Sequence, residues 1–298
     1  MTTSIDFDHC MEQIAVGERL SPSAIRELAA TADILPLGML ADSLRRRLLG
    51  NRATYLRVAR CAYEASFAEA VPPAAREVRI TGSPETLTIA VEAVRAARAV
   101  AGDRTVAGFS WTDVERFAER NHERISHVLD ALRDAGLDAF AELPLDLMPE
   151  PAEAVDRLTA AGFQQLRLTI DRSTALERTA QLLRAADLQD EFACIQAIDP
   201  LPAAVNPLRP TTGYEDVKMV AISRLAAPNI PTVQVDWQRY GAKLAQVALT
   251  FGADDIYGIS PSDDLSQGHR RAPVEEIRRN IEAAGFEPAE RDGHYHVR

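Results

Sequence analysis

The stretch NIPTVQVDWQRYGAKLAQVALTFGADDIYG, residues 229–258, contains a complete strand–helix–strand unit. Thr232–Asp236 is a short β-branched run typical of a buried strand, and Tyr240–Phe251 has the apolar spacing of a helix. Gly252 follows, where the end of a helix favours a residue with positive φ, and a second strand is predicted at Asp255–Tyr257. A helix between two short strands predicts parallel pairing of those strands.

The same alternation of strands and helices extends over most of the chain. Eight strands are predicted, at Thr54–Ala59, Glu77–Thr81, Thr105–Phe109, Ala139–Leu143, Gln165–Ile170, Ala193–Ile198, Thr232–Asp236 and Asp255–Tyr257. Helices are predicted between them, at Pro84–Val100, Trp111–Asn121, Glu123–Ala135, Pro151–Ala161, Ser173–Ala186, Tyr214–Ala226 and Tyr240–Phe251. This order indicates the α/β class and a (β/α)8 barrel of the TIM type. A doubly wound open sheet is the alternative, and the absence of G-x-G-x-x-G after a strand counts against it.

Helices are also predicted before the first strand. Ser21 and Pro22 are a typical N-cap and first helical residue, and a second helix is predicted at Pro36–Leu49. The basic run Arg45-Arg46-Arg47 within it is expected to form a solvated face. Residues 1–52 are therefore predicted to be a helical segment packed on the barrel.

Residues 53–298 are predicted to form the barrel and a C-terminal extension. The extension contains a helix at Pro273–Ala284 and a hairpin around Asp292-Gly293, since Asp-Gly is a strong turn signal.

Charge and composition exclude several classes of partner. The 298 residues carry 33 basic and 44 acidic side chains, a net charge of −11. This charge repels nucleic-acid phosphates and anionic membranes, so neither partner is expected. The expected partner is a small-molecule metabolite. No window has 18 uninterrupted apolar residues, and residues 1–10 do not resemble a signal peptide. The sequence therefore predicts a cytoplasmic protein.

The cysteines do not form a recognisable motif. Cys10, Cys61 and Cys194 are far apart in the chain, a spacing that fits neither a disulfide framework nor a zinc or iron–sulfur motif. His122 and His127 are five positions apart, so they do not share one face of a helix. No metal site is predicted.

The candidate site residues come from the carboxyl ends of the predicted strands, where barrels of this type carry their chemistry. Glu142, Asp236 and Asp255 are candidate acid/base catalysts if burial raises a carboxyl pKa. The alternative for each is capping a helix or binding an arginine. Candidate ligand-binding residues are Arg60, Ser83, Trp111, Arg172, Gln196, Gln234 and Trp237. The two arginines suit a carboxylate or phosphate, and structural ion pairing is their alternative.

Residues 213–258 closely resemble the C-terminal half of a family of radical S-adenosylmethionine enzymes. The family comprises aminofutalosine synthase and dehypoxanthine futalosine cyclase, of the futalosine route to menaquinone, and the deazaflavin (F420) synthase subunits. Its patterns EDxxxxAxxRL and NIPxxQxxWxxxGxKLAQxALxFGADDxxG are matched by EDVKMVAISRL and by the stretch at 229–258. Shorter matches extend from about Gly17 to the C-terminus, and the resemblance implies the same barrel.

The region that corresponds to the family's cluster-binding loop departs from the family pattern. That pattern is N-Y-T-N-x-C-x3-C-x2-C, whereas TYLRVARCAYEASFAEAVPPAAREVRITG here contains the single cysteine Cys61. A [4Fe–4S] cluster with one open iron needs three thiolates, so no iron–sulfur cluster is expected. The glycine-rich segment that ends the family's strand four is replaced by Glu142-Leu143-Pro144. No cofactor is expected, and S-adenosylmethionine or a nucleoside is the alternative.

The resemblance and its departure together imply a cluster-less barrel associated with menaquinone biosynthesis by the futalosine route. Such a protein would bind a carboxylated aromatic or nucleoside-like metabolite. Its chemistry, if any, would be that of a non-radical lyase or transferase, with Glu142, Asp236 or Asp255 as acid/base and Arg60 or Arg172 holding the anion. The alternative is a non-catalytic paralogue that forms a homodimer or pairs with an active radical enzyme as partner or regulator. For this role, the shortened loop is expected to open an apolar end of the barrel.

Overall fold

Eight parallel strands close into a barrel in chain order, with the eighth strand paired to the first. The structure is a computed structural model and describes residues 5–172, 174–202, 212–262 and 273–298. The strands are β1 (Arg52–Ala62), β2 (Glu77–Thr81), β3 (Thr105–Ser110), β4 (Ala139–Pro144), β5 (Leu166–Ile170), β6 (Ile195–Pro202), β7 (Thr232–Asp236) and β8 (Asp255–Ile259). The predicted (β/α)8 barrel of the TIM type is confirmed.

Helices cover the outside of the barrel, and the apolar core lies between them and the strands. They are α1 (Phe7–Val16), α2 (Pro22–Ala30), α3 (Ile34–Leu49), α4 (Phe67–Ala70), α5 (Leu87–Ala101), α6 (Trp111–Asn121), α7 (Ile125–Asp134), α8 (Pro151–Ala160), α9 (Ala175–Phe192), α10 (Gly213–Ala226), α11 (Trp237–Leu249) and α12 (Pro273–Ala283). The sequence did not predict α1 or α4. Ser173, the first residue of one predicted helix, lies outside the described residues. No helix in the described ranges combines the length and apolar character needed to cross a bilayer.

Two helix boundaries show how local chemistry sets the element ends. α11 begins at Trp237, earlier than predicted, because the Asp236 carboxylate accepts hydrogen bonds from the backbone N–H groups of Gln238 and Arg239. Gly252 follows the same helix at φ 101°, and a Cβ there would lie 2.9 Å from Cβ of Arg224. Glycine is therefore required at this turn.

The N-terminal helices pack on one side of the barrel, where α2 and α3 contact α9 and α10. The prediction of a solvated arginine run was wrong for Arg45, which is 0% exposed. Its guanidinium donates to the carbonyl oxygens of Ala253 at 3.1 Å and Gly50 at 3.0 Å, and also to that of Arg52. Burial is tolerated because these carbonyl groups satisfy the guanidinium.

The C-terminal extension closes the base of the barrel, which is the end where the strands begin. A ninth strand, β9 (Glu287–Glu290), pairs parallel with the first half of β1. The predicted hairpin is confirmed in the residues after β9, where an antiparallel bridge joins Arg291 to Val297.

Candidate functional site

A polar cavity of about 350 Å³ opens at the carboxyl ends of β1–β4. We call it the rim cavity. Its charged lining consists of three arginines, Arg60, Arg79 and Arg116, and two carboxylates, Asp113 and Glu142. The hydroxyl-bearing residues of its lining are Thr81, Ser83, Ser110 and Thr112. These side chains come from neighbouring parallel strands, from the loop after β2 and from the first turns of α6, at the end of the barrel where ligand sites of this fold lie.

Glu142 joins two arginines at the inner wall of the rim cavity. Its Oε1 accepts hydrogen bonds from Arg79 Nη2 at 3.0 Å and from Arg239 Nη2 at 3.3 Å. Burial acts to raise the pKa of Glu142, but the guanidinium groups of Arg79 and Arg239 outweigh it and hold the pKa below its ordinary value. Glu142 is therefore ionised at neutral pH.

Asp236 is held by Arg60 at the end of β7. Arg60 Nη2 donates to Asp236 Oδ2 at 2.6 Å. Burial would raise the pKa of Asp236, but Arg60 more than compensates and the pKa lies below its usual value. The pair crosses above Gly258, which has φ 83°, and a Cβ there would lie 2.7 Å from Arg60 Nη2. Glycine at this position leaves room for the ion pair.

Gln234 lies fully buried in the middle of β7 and links the rim to the base. Its Oε1 accepts from Arg167 Nη1 at 3.2 Å, and its Nε2 donates to Asp255 Oδ2 at 2.6 Å. Arg167 also donates to the Ala141 carbonyl oxygen and lies over the Tyr257 ring, 4.4 Å from its centroid. The barrel interior is thus a connected polar network.

Asp255 was predicted at the rim, and this placement was wrong. It is the first residue of β8 and lies at the base, where it is fully buried. Arg291 contacts both of its oxygens, at 2.6 and 2.8 Å. Asp255 begins β8, so it lies at the opposite end of the barrel from the residues that end the strands. The prediction had placed it among those strand-end residues.

Asp199, in the carboxyl-terminal half of β6, was not among the predicted site residues, and the structure makes it a candidate. It is 4% exposed, and Leu201 N–H donates to its Oδ1 at 3.2 Å. Within the described residues no arginine forms an ion pair with it. Burial raises the pKa of Asp199 to about 7, although Arg239 and Arg167 partly offset this effect. A carboxyl group with this pKa can donate and accept protons near neutral pH.

Ser83 and Arg172 both lie at the rim, but only one of them lines the cavity. Ser83 lines it and donates through Oγ to Asp113 Oδ1 at 3.3 Å. The Arg172 side chain is 74% exposed, does not line the cavity and pairs with its neighbour Asp171 at 3.1 Å.

Trp111, Trp237 and Gln196, the other predicted ligand residues outside the barrel interior, do not line the rim cavity. Trp111 is buried at the start of α6 and donates through Nε1 to Glu115 at 2.8 Å. Trp237 begins α11 and is half-buried against the apolar core. Gln196 is the second residue of β6, so it lies at the base rather than at the rim, near Thr232.

The cysteines lie on three separate parts of the fold. Cys61 on β1 is buried, with its Sγ 3.8 Å from the Ala70 carbonyl oxygen of α4. Cys10 is buried in α1, and Cys194 directly precedes β6 at the base. Burial raises the pKa of all three thiols. These positions do not fit a [4Fe–4S] cluster, which needs three converging thiolates. In the described ranges no group of three or more potential ligands among His, Cys, Asp and Glu could hold a metal ion.

Residues 202–298 match the family model described as CofH/MqnC C-terminal region. The chain is 27% identical to the 5-amino-6-(D-ribitylamino)uracil–L-tyrosine 4-hydroxyphenyl transferase of Archaeoglobus fulgidus, over 87% of this chain and 92% of that protein. It is 24% identical to the cyclic dehypoxanthine futalosine synthase of Streptomyces coelicolor, over 98% of this chain and 88% of that protein. It is also 24% identical to the aminodeoxyfutalosine synthase of Thermus thermophilus, over 95% and 94%.

Solved structures support the fold. Methylornithine synthase (PylB) superposes with a TM-score of 0.64 at 16% identity, covering 94% of this chain and 97% of that one. The hydrogenase maturase HydG from Carboxydothermus hydrogenoformans superposes with a TM-score of 0.68 at 16% identity, covering 95% and 79%.

The barrel fold is the one that these solved structures share with this chain. The predicted resemblance to the enzymes of the futalosine route and of F420 synthesis is confirmed. The alignment with the Archaeoglobus protein spans 318 positions, more than the 298 residues of this chain. That relative therefore has segments that this chain lacks.

Proposed function

We propose that the protein is a cluster-less relative of the futalosine-route enzymes that binds a small metabolite in the rim cavity. The main support is the difference between two adjacent residues at the end of β1. There the Cys61 thiol is packed against α4, while Arg60, its neighbour in the chain, lines an open polar cavity. The resemblance to futalosine-route proteins supports a role associated with menaquinone biosynthesis, with a carboxylated aromatic or nucleoside-like metabolite as the expected ligand.

The proposed chemistry is proton transfer rather than radical formation. Asp199 has a pKa near neutrality but does not line the rim cavity, so we assign it proton exchange within the polar interior of the barrel rather than contact with the ligand. Glu142 and Asp236, predicted as catalysts, are ionised and hold arginines, so we assign them the role of orienting Arg79, Arg239 and Arg60. Asp255 is left out of the proposed chemistry because it lies at the base.

Iron and sulfide analysis tests the cluster-less assignment. The protein is purified without oxygen, incubated with iron and sulfide, and desalted, and the bound iron and sulfide are then measured. We expect far less than one of each per chain, and the same values for a variant with all three cysteines replaced by alanine. About four irons and four sulfides in the wild type, lost in the cysteine-free variant, would overturn the proposal.

The second hypothesis, a non-catalytic partner of a radical enzyme, predicted an apolar end of the barrel. The rim cavity does not supply it, because its lining is mostly charged or hydroxylated. In the described part of the chain, the most exposed large apolar side chains are instead Val16 on α1 and Leu35 and Met39 on α3. Co-purification with a related radical enzyme would support the partner role over the metabolite-binding one.

A further inference from the structure

We propose that the rim cavity binds the oxyanion group, a phosphate or a carboxylate, of a sugar-like metabolite between Arg60, Arg79 and Arg116. This inference rests on the proposed function, because it names the ligand class of the same cavity. It also narrows the expectation from the resemblance, since it favours a hydroxylated ligand over an aromatic one.

The charge of the lining favours an anion. Arg60, Arg79 and Arg116 contribute three positive charges, whereas Asp113 and Glu142 contribute two negative ones. Arg116 Nη2 donates to Asp113 Oδ1 at 2.6 Å, and Arg79 Nη2 donates to Glu142 at 3.0 Å. The carboxylate that pairs with Arg60, Asp236, is not part of the lining. A ligand oxyanion at the surface of the cavity would therefore meet more guanidinium groups than carboxylates.

Two of these guanidinium groups retain donors that the protein does not use. Arg60 donates to Asp236 through Nη2, and Arg116 donates to Asp113 and to the Pro84 carbonyl oxygen through the same atom. Within the described ranges, Nη1 of neither arginine donates a hydrogen bond, and neither Nη1 is among the fully buried atoms that lack a partner. Each Nη1 therefore remains able to donate a charge-assisted hydrogen bond to a ligand oxygen.

The size and the uncharged part of the lining indicate what the anion is attached to. At about 350 Å³, the cavity falls within the range of about 300–1,000 Å³ that small-molecule sites occupy, and exceeds what an isolated phosphate needs. Four hydroxyl-bearing residues face two large apolar ones, Ile80 and Phe109. This composition suits a ligand whose uncharged part is rich in hydroxyl groups, because each ligand hydroxyl can then form a hydrogen bond with the lining.

Binding of four defined probes to the full-length protein tests the inference by calorimetry. Ribose 5-phosphate represents the phosphate source, glucuronate the carboxylate source, ribose the neutral sugar and benzoate the aromatic acid. We expect ribose 5-phosphate or glucuronate to bind at least tenfold more tightly than ribose and benzoate. The better of the two identifies which oxyanion the cavity prefers.

Three variants locate the binding. Arg116→Gln should lower the affinity for the preferred probe by roughly 10- to 100-fold, because the substitution removes a charge-assisted hydrogen bond. Arg172→Gln is the matched control, since Arg172 lies at the same rim outside the cavity, and its affinity should equal that of the wild type. Ser83→Asp places a carboxylate at an exposed position of the lining and should abolish binding without disturbing the core.

Equal binding of ribose and ribose 5-phosphate, or equal losses in Arg116→Gln and Arg172→Gln, would overturn the inference. So would the absence of binding by either anionic sugar. Those results leave the cluster-less assignment standing, because iron and sulfide content decides that assignment separately. A bound cluster would refute the proposed function whichever probe binds.

Discussion

At the residue scale, the carboxylates of the barrel interior differ in what surrounds them. Glu142 and Asp236 each contact a guanidinium and remain ionised, so they are poor proton donors at neutral pH. Asp199 is buried beside Thr169, its partner in the strand register, whose Oγ1 is buried without a hydrogen-bond partner. A carboxyl group in such a setting retains its proton more readily.

Asp199→Asn tests this difference through the pH dependence of stability. The folded pKa of about 7 exceeds the ordinary aspartate value of about 3.8, so Asp199 favours folding at low pH and loses that contribution as the pH rises through about 7. The variant has no carboxyl group to titrate, so its stability relative to wild type should rise between pH 5 and pH 8, by up to about 2–3 kcal/mol. Urea unfolding at both pH values measures the change.

Glu142→Gln is the matched control for that measurement. The pKa of Glu142 is lowered in the folded protein, so its stabilising contribution is present above its unfolded pKa and is lost as the pH falls through its folded pKa. Removing Glu142 should therefore destabilise the protein at pH 8. A stability difference between Asp199→Asn and wild type that is the same at pH 5 and pH 8 would contradict the raised pKa of Asp199.

At the element scale, the base of the barrel is tied together by buried arginines from segments outside it. Arg45 on α3 binds carbonyl groups around β1 and β8, and Arg224 on α10 pairs with Asp254. Arg291, directly after β9, enters the barrel and pairs with Asp255. The C-terminal extension is therefore part of the structural base, at the opposite end from the rim cavity.

Arg291→Met should destabilise the protein by about 3–5 kcal/mol, because it leaves the Asp255 carboxylate buried without its ion-pair partner. The double variant Arg291→Met/Asp255→Asn should recover much of this loss, since the unpaired charge is then absent. Chemical denaturation measures both values.

Arg298→Met provides the control for the effect of removing an arginine from the same segment. Its ion pair with Asp103 is exposed and 3.6 Å long, so its loss should change stability by no more than about 0.5 kcal/mol. Similar losses in the Arg291 and Arg298 variants would show that the buried pair at the base has no special role.

At the scale of the whole molecule, the net charge differs in sign from the charge of the residues that line the rim cavity. The chain carries a net charge of −11, yet arginines outnumber carboxylates in the lining of the rim cavity. We expect the acidic residues that produce the net charge to oppose binding of nucleic acids and anionic membranes. The local excess of guanidinium groups at the rim instead determines which small molecule is attracted.

A variant with Cys10, Cys61 and Cys194 all replaced by alanine should keep both its fold and its affinity for the preferred probe. None of the three residues lines the rim cavity, and Cys10 and Cys61 act as small buried apolar side chains. The melting temperature should fall by several degrees at most, as measured by circular dichroism. Loss of probe binding with an unchanged fold would show that a thiol contributes to the site.

Local patterns in the sequence were enough to predict the barrel. Helix periodicity, N-cap residues such as Ser21 and glycine stop signals such as Gly252 act over a few neighbouring residues, so they can be read without knowing the fold. The same local signals located the end of β4, and therefore placed Glu142 at the rim. Arg60 and Ser83 were also correctly expected near the rim for this reason.

The composition of the site was decided by tertiary structure. Arg79 and Arg167 lie within strands, and the sequence does not show that barrel closure brings each of them towards a side chain two strands away, Glu142 and Gln234. Asp199 acquires its raised pKa from burial by elements distant in the chain. The sequence by itself thus determined the order of strands and helices and the lack of three clustered cysteines. Strand register and barrel closure determined which charges meet at the rim and which at the base, because electrostatic interactions depend on distance in space rather than along the chain.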